Sequence, residues 1–279
     1  MRPLAALCPE SRASIRGVLF DIDDTLTTDG RLTADAYAAV DALKLAGLIV
    51  VPITGRPAGW CDHIARMWPV DAVVGENGAF YFQYDAQRKK LVTRFRDDDA
   101  TRAANRSRLA AVRGRILKEV PGSAVASDQL YREADLAIDF CEDVPRLPDA
   151  AIDRIVTIMH ESGMTARVSS IHVNGWFGAY DKLSMTRTLM RERFGVDLDA
   201  DKARYAFIGD SPNDAPLFGY FPNSVGVANV IEFTSRLETR PAYVTAARSG
   251  DGFVELVAHL LSVPSPARGE GRFVRLKAR

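Results

Sequence analysis

Two aspartates at the end of an apolar run are the first residues in the chain that can do chemistry. Asp21 and Asp23 follow the run 18–20, which predicts a buried strand. Side chains two residues apart in an extended chain point the same way, so both should face one crevice at the strand end. Two carboxylates repel by about 4 kcal/mol at about 4 Å and an effective dielectric of about 20, and a cation relieves this. The alternative is a plain turn, because Asp is common where strands end.

Two further apolar runs also end in polar residues. Thr54 and Gly55 follow the run 48–53, and Asp210 and Asp214 follow the run 205–208. Each pair has a structural alternative, since Thr-Gly can form a turn and Asp214 can stabilise the first turn of a helix. Lys182 opens a predicted helix and, taken alone, is compatible with a surface lysine. If the three runs are neighbouring strands, their ends converge on one crevice.

Together these residue types can transfer a phosphoryl group. Asp21 and Asp210 offer hard oxygen ligands, and without a histidine cluster this favours Mg²⁺. Thr54 and Lys182 can hold the phosphoryl group by hydrogen bonds and charge. One aspartate can attack phosphorus and form an aspartyl-phosphate. A second aspartate can exchange protons with the leaving oxygen and the hydrolytic water.

Composition limits the class of partner. The chain has 279 residues, is 47% hydrophobic and carries 36 basic and 36 acidic residues, so nothing suggests a nucleic acid or a membrane surface. The cysteines Cys8, Cys61 and Cys141 lack metal-binding spacing, and such sparse use fits a reducing compartment. No segment resembles a signal peptide or a membrane span. We therefore expect a cytoplasmic protein whose oligomeric state the sequence leaves open.

Alternating strand and helix patterns predict a doubly wound parallel sheet of the α/β class. Thr33 can cap a helix that ends before Gly47, and strands are predicted over 48–54 and 71–74. The alternation resumes after Gly178, with a helix over 182–194 and strands near 205–208, 224–228 and 242–246. A last helix is expected to end near residue 261. Residues 1–15 are expected to be a loose lead-in, and the tail from Pro264, with five basic residues and one Glu, to be disordered.

The middle of the chain has a different pattern. A hairpin is predicted over 79–84 and 90–95, followed twice by a helix and two strands. The helices are expected over 98–119 and 148–162. This order indicates an antiparallel sheet covered by helices on one face. We expect a discontinuous core domain, residues 1–82 and 178–279, with an α+β cap domain at 83–177 inserted into it.

Four short motifs resemble those of the haloacid dehalogenase (HAD) superfamily. They are 20–26 (Phe-Asp-Ile-Asp-Asp-Thr-Leu), 54–55 (Thr-Gly), Lys182 and 209–214 (Gly-Asp-Ser-Pro-Asn-Asp), in matching order and spacing. The resemblance covers about 17–261. It implies a Mg²⁺-dependent phosphatase that forms an aspartyl-phosphate on a small phosphorylated metabolite.

The resemblance also implies a role for each motif residue. Asp21 would be the nucleophile and a Mg²⁺ ligand, and Asp23 the acid/base, its backbone carbonyl also binding the metal. Lys182 would bind phosphate and orient Asp21, and Asp210 would be a further metal ligand.

The remaining motif residues would support these groups. Thr54 and Gly55 would bind phosphate, with Asn213 lying near it. Asp214 would be an auxiliary metal ligand. Asp24 stands where relatives often have Gly, and we interpret it as structural.

The insert resembles the type IIB cap of Cof-like, sucrose-phosphatase-like and mannosyl-3-phosphoglycerate-phosphatase-like members. In this family the cap closes over the core and selects the leaving group. The candidate substrate-binding residues, at strand ends or on one face of a cap strand, are Arg56, Asn77, His172, Asn174 and Trp176. For the last three, plain packing against cap helices is an equal alternative.

Other activities of the superfamily fit the motif residues of this chain to different degrees. Dehalogenases of the superfamily lack the acid/base aspartate, so Asp23 argues against that activity. P-type ATPases carry Thr at that position and have membrane spans. Phosphomannomutases share the cap type, so a phosphosugar mutase is the nearest rival. A catalytically silent binding protein is the other alternative, although no motif residue is missing.

Overall fold

A computed structural model describes residues 1–262 of the chain. The predicted disordered tail from Pro264 lies outside the described residues. The strands are β1 Arg2–Pro3, β2 Gly17–Phe20, β3 Ile49–Pro52, β4 Val73–Gly75, β5 Phe80–Asp85, β6 Lys90–Phe95, β7 Ala124–Val125, β8 Asp135–Asp139, β9 Thr165–Val168, β10 His172–Trp176, β11 Tyr205–Gly209, β12 Asn223–Gly226 and β13 Tyr243–Val244. The α-helices are α1 Pro9–Ser14, α2 Ala34–Leu45, α3 Ala58–Met67, α4 Asp99–Glu119, α5 Asp149–Glu161, α6 Lys182–Phe194, α7 Leu198–Asp201, α8 Ala215–Tyr220 and α9 Ser249–Leu261.

The central sheet has the order β1-β13-β12-β11-β2-β3, and all its neighbouring strands are parallel. Successive side chains of β2 enter different cores, as the pleat requires. Val18 and Phe20 pack in a cluster with α2 and α9, whereas Leu19 packs in a second cluster with α6 and α8. Helices therefore cover both faces, which confirms the predicted doubly wound α/β fold.

The first fifteen residues are ordered, and the prediction of a loose lead-in was wrong. β1 adds a parallel edge strand beside β13, and α1 follows it. Leu4, Leu7 and Ile15 are buried in the cluster beneath α2 and α9. These scattered apolar side chains lack a clear period, so only the tertiary contacts show that the segment belongs to the core.

The third predicted strand forms but leaves the parallel sheet. β4 is joined to β3 only by one parallel bridge, Ile53 to Val74, and pairs antiparallel with β5. The chain reverses through Glu76, Asn77 and Gly78, which have positive φ angles of 43°, 54° and 104°. β5 and β6 then form the predicted hairpin, giving a separate sheet β4-β5-β6.

The inserted segment forms a four-stranded antiparallel sheet of order β7-β8-β10-β9. Helices α4 and α5 share one apolar cluster with this sheet, for example through Ile116, Ile155 and Ile138. The segment is called the cap below. The exact boundary, 83–177 against 1–82 and 178–279, stays a prediction. Among the described residues, no helix is long and apolar enough to cross a membrane.

Candidate active site

The register of the central sheet brings Asp21 and Asp210 side by side. Phe20 is paired with Ile208, and the Asp21 amide donates to the Ile208 carbonyl at 2.9 Å, so Asp21 emerges beside Gly209 and the residue that follows it, Asp210. Asp214 lies one turn beyond Asp210. Carboxylate oxygens of the three aspartates lie within 4.8 Å of one another, and all three residues are buried.

Lys182 is the cation at the centre of this acidic cluster. It is the first residue of α6, whose start is fixed by reciprocal hydrogen bonds between Asp181 and Ser184. Its Nζ donates to Asp21 Oδ1 at 2.8 Å and to Asp214 Oδ1 at 2.7 Å. Burial alone would lower the Lys182 pKa, but the two carboxylates raise it above its ordinary value. The buried lysine is therefore held as an ammonium ion.

The single ammonium of Lys182 does not neutralise three carboxylates, and the pKa values of two of them are raised. Burial, opposed by Lys182, raises the pKa of Asp21 to about 8. Burial and the charge of Asp21 raise the pKa of Asp210 well above its ordinary value. Asp210 Oδ1 accepts from Thr25 Oγ1 at 3.2 Å, whereas its buried Oδ2 has no hydrogen-bond partner within residues 1–262.

These residues fit a divalent cation that prefers oxygen. The unpartnered Oδ2 of Asp210 and the carboxylate of Asp21 offer hard oxygen ligands of the type that Mg²⁺ prefers. Asp214 is more fully engaged, because its Oδ2 also accepts from the backbone amides of Asp210 and Ser211 at 3.1 and 3.3 Å. This arrangement suits an auxiliary role for Asp214, holding Lys182 and the loop after β11.

The loop after β3 lies beside the cluster. Thr54 is fully buried, and its hydroxyl accepts from the Arg56 amide at 3.0 Å. Gly55 faces Asn77, since a Cβ at residue 55 would lie 3.2 Å from Asn77 Nδ2. Asn77 Oδ1 accepts from Asn213 Nδ2 at 3.3 Å, while Asn77 Nδ2 is buried without a hydrogen-bond partner in the described part of the chain. An oxyanion could accept from such a donor.

Asp23 turns away from the acidic cluster toward Arg56. β2 ends at Phe20, and Asp24 has a left-handed φ of 54°, a conformation that favours Gly, so a tight turn rather than strand alternation sets the direction of Asp23. Its carboxylate accepts from Arg56 Nε at 2.9 and 3.0 Å and from Nη2 at 2.7 Å. Asp21 and Asp23 both line the same crevice. The structural interpretation of Asp24 agrees with its φ angle.

Cap residues close the other side of this crevice. His172 and Asn174 of β10 line it together with Arg132 and Ser169. Asn174 Nδ2 donates to Asp135 Oδ2 at 3.0 Å.

Trp176 does not line the crevice. It is fully buried in an apolar cluster between core and cap, stacks on Tyr180 and donates from Nε1 to the Tyr180 carbonyl at 3.2 Å. These contacts favour the packing alternative for Trp176 over contact with a substrate. The alternation of side chains along β10 placed Trp176 on the same face as His172. It could not show that the crevice ends before Trp176.

Four charged residues at the junction of core and cap were missed from the sequence. Arg132 donates to the Gly55 carbonyl at 2.8 Å and pairs with Asp128 and Asp135. Glu142 pairs with Arg56 at 2.8 Å. Asp128 and Glu142 lie in cap loops with no apolar period, so no sequence pattern indicates that they meet the core.

Glu76 is the fourth missed residue. Its buried carboxylate accepts from the backbone amides of Ala58 at 3.0 Å, Glu133 at 2.9 Å and Ala134 at 2.6 Å. It thereby ties the start of α3, just after the Thr54 loop, to the segment that leads into β8. Successive amides around an anion form a stable nest. The left-handed turn that carries Glu76 also places Asn77 beside Asn213, a residue that lines the crevice.

The fold and the site define an α/β enzyme. Its carboxylate cluster, its buried lysine and the loop with Thr54 and Gly55 lie at the carboxyl ends of parallel strands. A sequence model described as haloacid dehalogenase-like hydrolase matches residues 18–105. This match agrees with the resemblance that the sequence predicted, and residues 18–105 contain the first two of the four motifs, 20–26 and 54–55.

Known proteins are similar to the chain over most of its length. It is 27% identical over 242 residues to a phosphoglycolate phosphatase of Haloarcula marismortui, covering 86% of this chain and 95% of that protein. Its fold is similar to the C-terminal domain of C. albicans trehalose-6-phosphate phosphatase (TM-score 0.69, 13% identity, 95% of this chain and 99% of that chain). It is also similar to the sucrose-phosphatase of Synechocystis sp. PCC6803 (TM-score 0.59, 15% identity, 88% and 98%). At these identities the two structures establish the fold alone.

Proposed function

We propose that the protein is a Mg²⁺-dependent phosphatase that hydrolyses a small phosphorylated metabolite through an aspartyl-phosphate. The observation that carries the proposal is the contact of Lys182 with Asp21 inside a buried carboxylate cluster. The similarity to a protein named phosphoglycolate phosphatase supports the same reaction class.

Each side chain has a task in this reaction. Asp21 attacks phosphorus while Lys182 fixes the carboxylate by the 2.8 Å contact and offsets charge on the phosphoryl oxygens. Asp23 donates a proton to the leaving oxygen as the P–O bond breaks, and later accepts one from the hydrolytic water. Thr54, Gly55 and, near the phosphate, Asn213 bind the phosphoryl oxygens.

A bound Mg²⁺ would neutralise phosphate charge and help to align the phosphoryl group with Asp21. Asp21, Asp210 and the Asp23 backbone carbonyl are the ligands we propose, with Asp214 in an auxiliary position. Within residues 1–262, the single ammonium of Lys182 does not balance the neighbouring carboxylates of Asp21, Asp210 and Asp214, which supports this assignment.

The charges in the crevice favour a neutral leaving group. Its two arginines are already paired, Arg56 with Asp23 and Glu142, and Arg132 with Asp128 and Asp135. A carboxylate on the leaving group, as in phosphoglycolate, would have to displace one of these pairings. Ser169, His172 and Asn174 offer hydrogen bonds that suit hydroxyl groups. We therefore propose a sugar phosphate, or a related polyol phosphate, as the substrate class.

The domain division and location belong to the same proposal. The core would comprise 1–82 and 178–279, and the cap 83–177 would close over the crevice. The three cysteines are free, which supports a reducing, cytoplasmic location.

A panel of phosphorylated sugars, glycerates, glycolate and nucleotides, assayed for inorganic phosphate with Mg²⁺ and with EDTA, tests the proposal. We expect release from a sugar phosphate that EDTA abolishes and Mg²⁺ restores. Full turnover in excess chelator would contradict the metal requirement, and preference for phosphoglycolate would contradict the substrate class. Conversion of a hexose 1-phosphate to the 6-phosphate without release would identify a phosphosugar mutase. No turnover of any substrate would favour a binding protein.

A further inference from the structure

The guanidinium of Arg56 connects the acid/base aspartate of the core with the cap. It contacts Asp23 through Nε and Nη2, and the same Nη2 donates to Glu142 Oε1 at 2.8 Å. Nη1 lies 3.4 Å from Asp128 Oδ2. The guanidinium also lies over the Trp60 ring at 4.3 Å. Arg56 therefore has one partner at the reacting groups and two in the cap.

Glu142 is held in place by its own loop. The carboxylate of Asp139, at the end of β8, accepts from the backbone amides of Cys141, Glu142 and Asp143, each at 2.8 Å. Such a ring of amides around a carboxylate fixes the loop. The second oxygen of Glu142, Oε2, lies 2.9 Å from His172 Nε2 in the crevice. Burial would raise the Glu142 pKa, but His172 and Arg56 outweigh it and lower the pKa to about 2.

We propose that Glu142 is a positioning residue for Asp23, acting through Arg56 when the cap lies over the core. The inference rests on the proposed phosphatase function. Glu142 accepts from Nη2 of Arg56 on the cap side and so fixes the guanidinium, whose Nε and Nη2 hold Asp23 toward the leaving oxygen. Opening the cap would withdraw Glu142 and Asp128 and leave Arg56 free to reorient. Proton donation would then be coupled to cap closure.

Substrates with different leaving groups distinguish a positioning role of Glu142 from a general structural role. In the first half-reaction the bond between Asp21 and phosphorus forms, the P–O ester bond breaks, and Asp23 gives its proton to the departing oxygen. An alkoxide needs that proton, whereas p-nitrophenolate departs readily as an anion. A misplaced Asp23 should therefore slow alkyl phosphates much more than an aryl phosphate. A loss of folding or of phosphate binding would slow both classes equally.

The test compares wild type, Glu142→Gln and a matched control, Glu133→Gln. Glu133 is also a cap glutamate paired with an arginine, Arg106 at 2.6 Å, but it does not contact Arg56. For each protein, kcat/KM is measured with Mg²⁺ on the best sugar phosphate and on p-nitrophenyl phosphate, since kcat/KM reports the first half-reaction. Melting temperatures show whether each variant is folded.

We expect Glu142→Gln to reduce kcat/KM about tenfold for the sugar phosphate and less than about twofold for the aryl phosphate. Glu133→Gln should match wild type on both substrates. Glu142→Asp, which keeps the charge, should recover part of the loss and serves if the Gln variant is unstable. An equal fall on both substrates, or no fall on either, would overturn the inference. If wild type hydrolyses neither substrate, the proposed function itself fails.

Discussion

Replacing Asp210 by Asn should stabilise the metal-free protein while removing its response to Mg²⁺. The Asp210 side chain is fully buried, one of its oxygens accepts from Thr25 and the other is unpartnered within the described chain. Oxygens of Asp21 and Asp214 lie within 4.8 Å of an oxygen of Asp210. Asn has the same shape as Asp without its charge, so the substitution removes like-charge repulsion with little change in packing.

The size of the effect follows from that spacing. Two like charges at 4.8 Å repel by about 3.5 kcal/mol at an effective dielectric of about 20. The ammonium of Lys182 and partial protonation of the cluster offset much of this, so we expect a gain of about 1 to 3 kcal/mol in the free energy of unfolding. At about 2 °C per kcal/mol for a chain of this size, the melting temperature should rise by a few degrees.

Thermal melts of wild type and variant, each in EDTA and in excess Mg²⁺, measure both effects. Mg²⁺ should raise the melting temperature of wild type, because a ligand that binds only the folded state stabilises it, and the variant should respond much less. Asp139→Asn is the matched control. Its buried carboxylate is satisfied by three amides, so this substitution should lower the melting temperature and leave the Mg²⁺ response intact. If Asp210→Asn melts lower than wild type in EDTA yet responds equally to Mg²⁺, Asp210 is a structural residue and the metal assignment is wrong.

Three further perturbations test other parts of the site. Lys182→Met leaves the buried carboxylates of Asp21 and Asp214 without their cation. Activity should be lost, and the free energy of unfolding in EDTA should fall by about 3 to 5 kcal/mol. A variant as stable as wild type in chemical denaturation would contradict a stabilising role for these ion pairs. The Asp21 pKa is about 8 in the folded protein and 3.8 ordinarily, so between these pH values the folded protein keeps a proton that the unfolded protein has lost. The free energy of unfolding of the metal-free protein should therefore fall between about pH 4 and pH 8, by at most about 1.4 kcal/mol per pH unit. A rise in this free energy over the same range would contradict the raised pKa of Asp21. Asp23→Asn should slow both formation and hydrolysis of the phosphoenzyme by about a hundredfold or more in rapid-quench assays, and an effect on one step alone would show that Asp23 does not serve both.

The sequence predicted the parts of the fold that follow from local patterns. Helix α2 begins at the predicted cap, where the Thr33 hydroxyl accepts from the Ala36 amide, and the hairpin of β5 and β6 forms as expected. The strand pattern also predicted that Asp21 and Asp210 would meet at one edge of a parallel sheet, and oxygens of the two residues lie within 4.8 Å of each other. Periodicity and turn residues carry this information within a few neighbouring positions.

Features that depend on distant contacts could not be predicted in this way. β4 left the parallel sheet because a left-handed turn at Glu76 returned the chain as β5. The pairing of Arg56 with Glu142 joins residues 86 positions apart, and nothing near either residue indicates the other. Trp176 shared a strand face with His172, but packing against Tyr180 buried it elsewhere. The charged residues at the junction of core and cap therefore needed the structure, whereas the motif residues of the core did not.

The covalent intermediate on Asp21 is the central claim, and trapping it is the most direct test. Wild type and Asp21→Asn are mixed with Mg²⁺ and a sugar phosphate that the wild type hydrolyses, and the reaction is quenched in acid within milliseconds. The protein is then reduced with borohydride and digested. Reduction converts an aspartyl-phosphate into homoserine, which mass spectrometry locates. We predict homoserine at residue 21 in wild type and none in the variant. Homoserine at a different aspartate, or turnover by Asp21→Asn at the wild-type rate, would contradict the account.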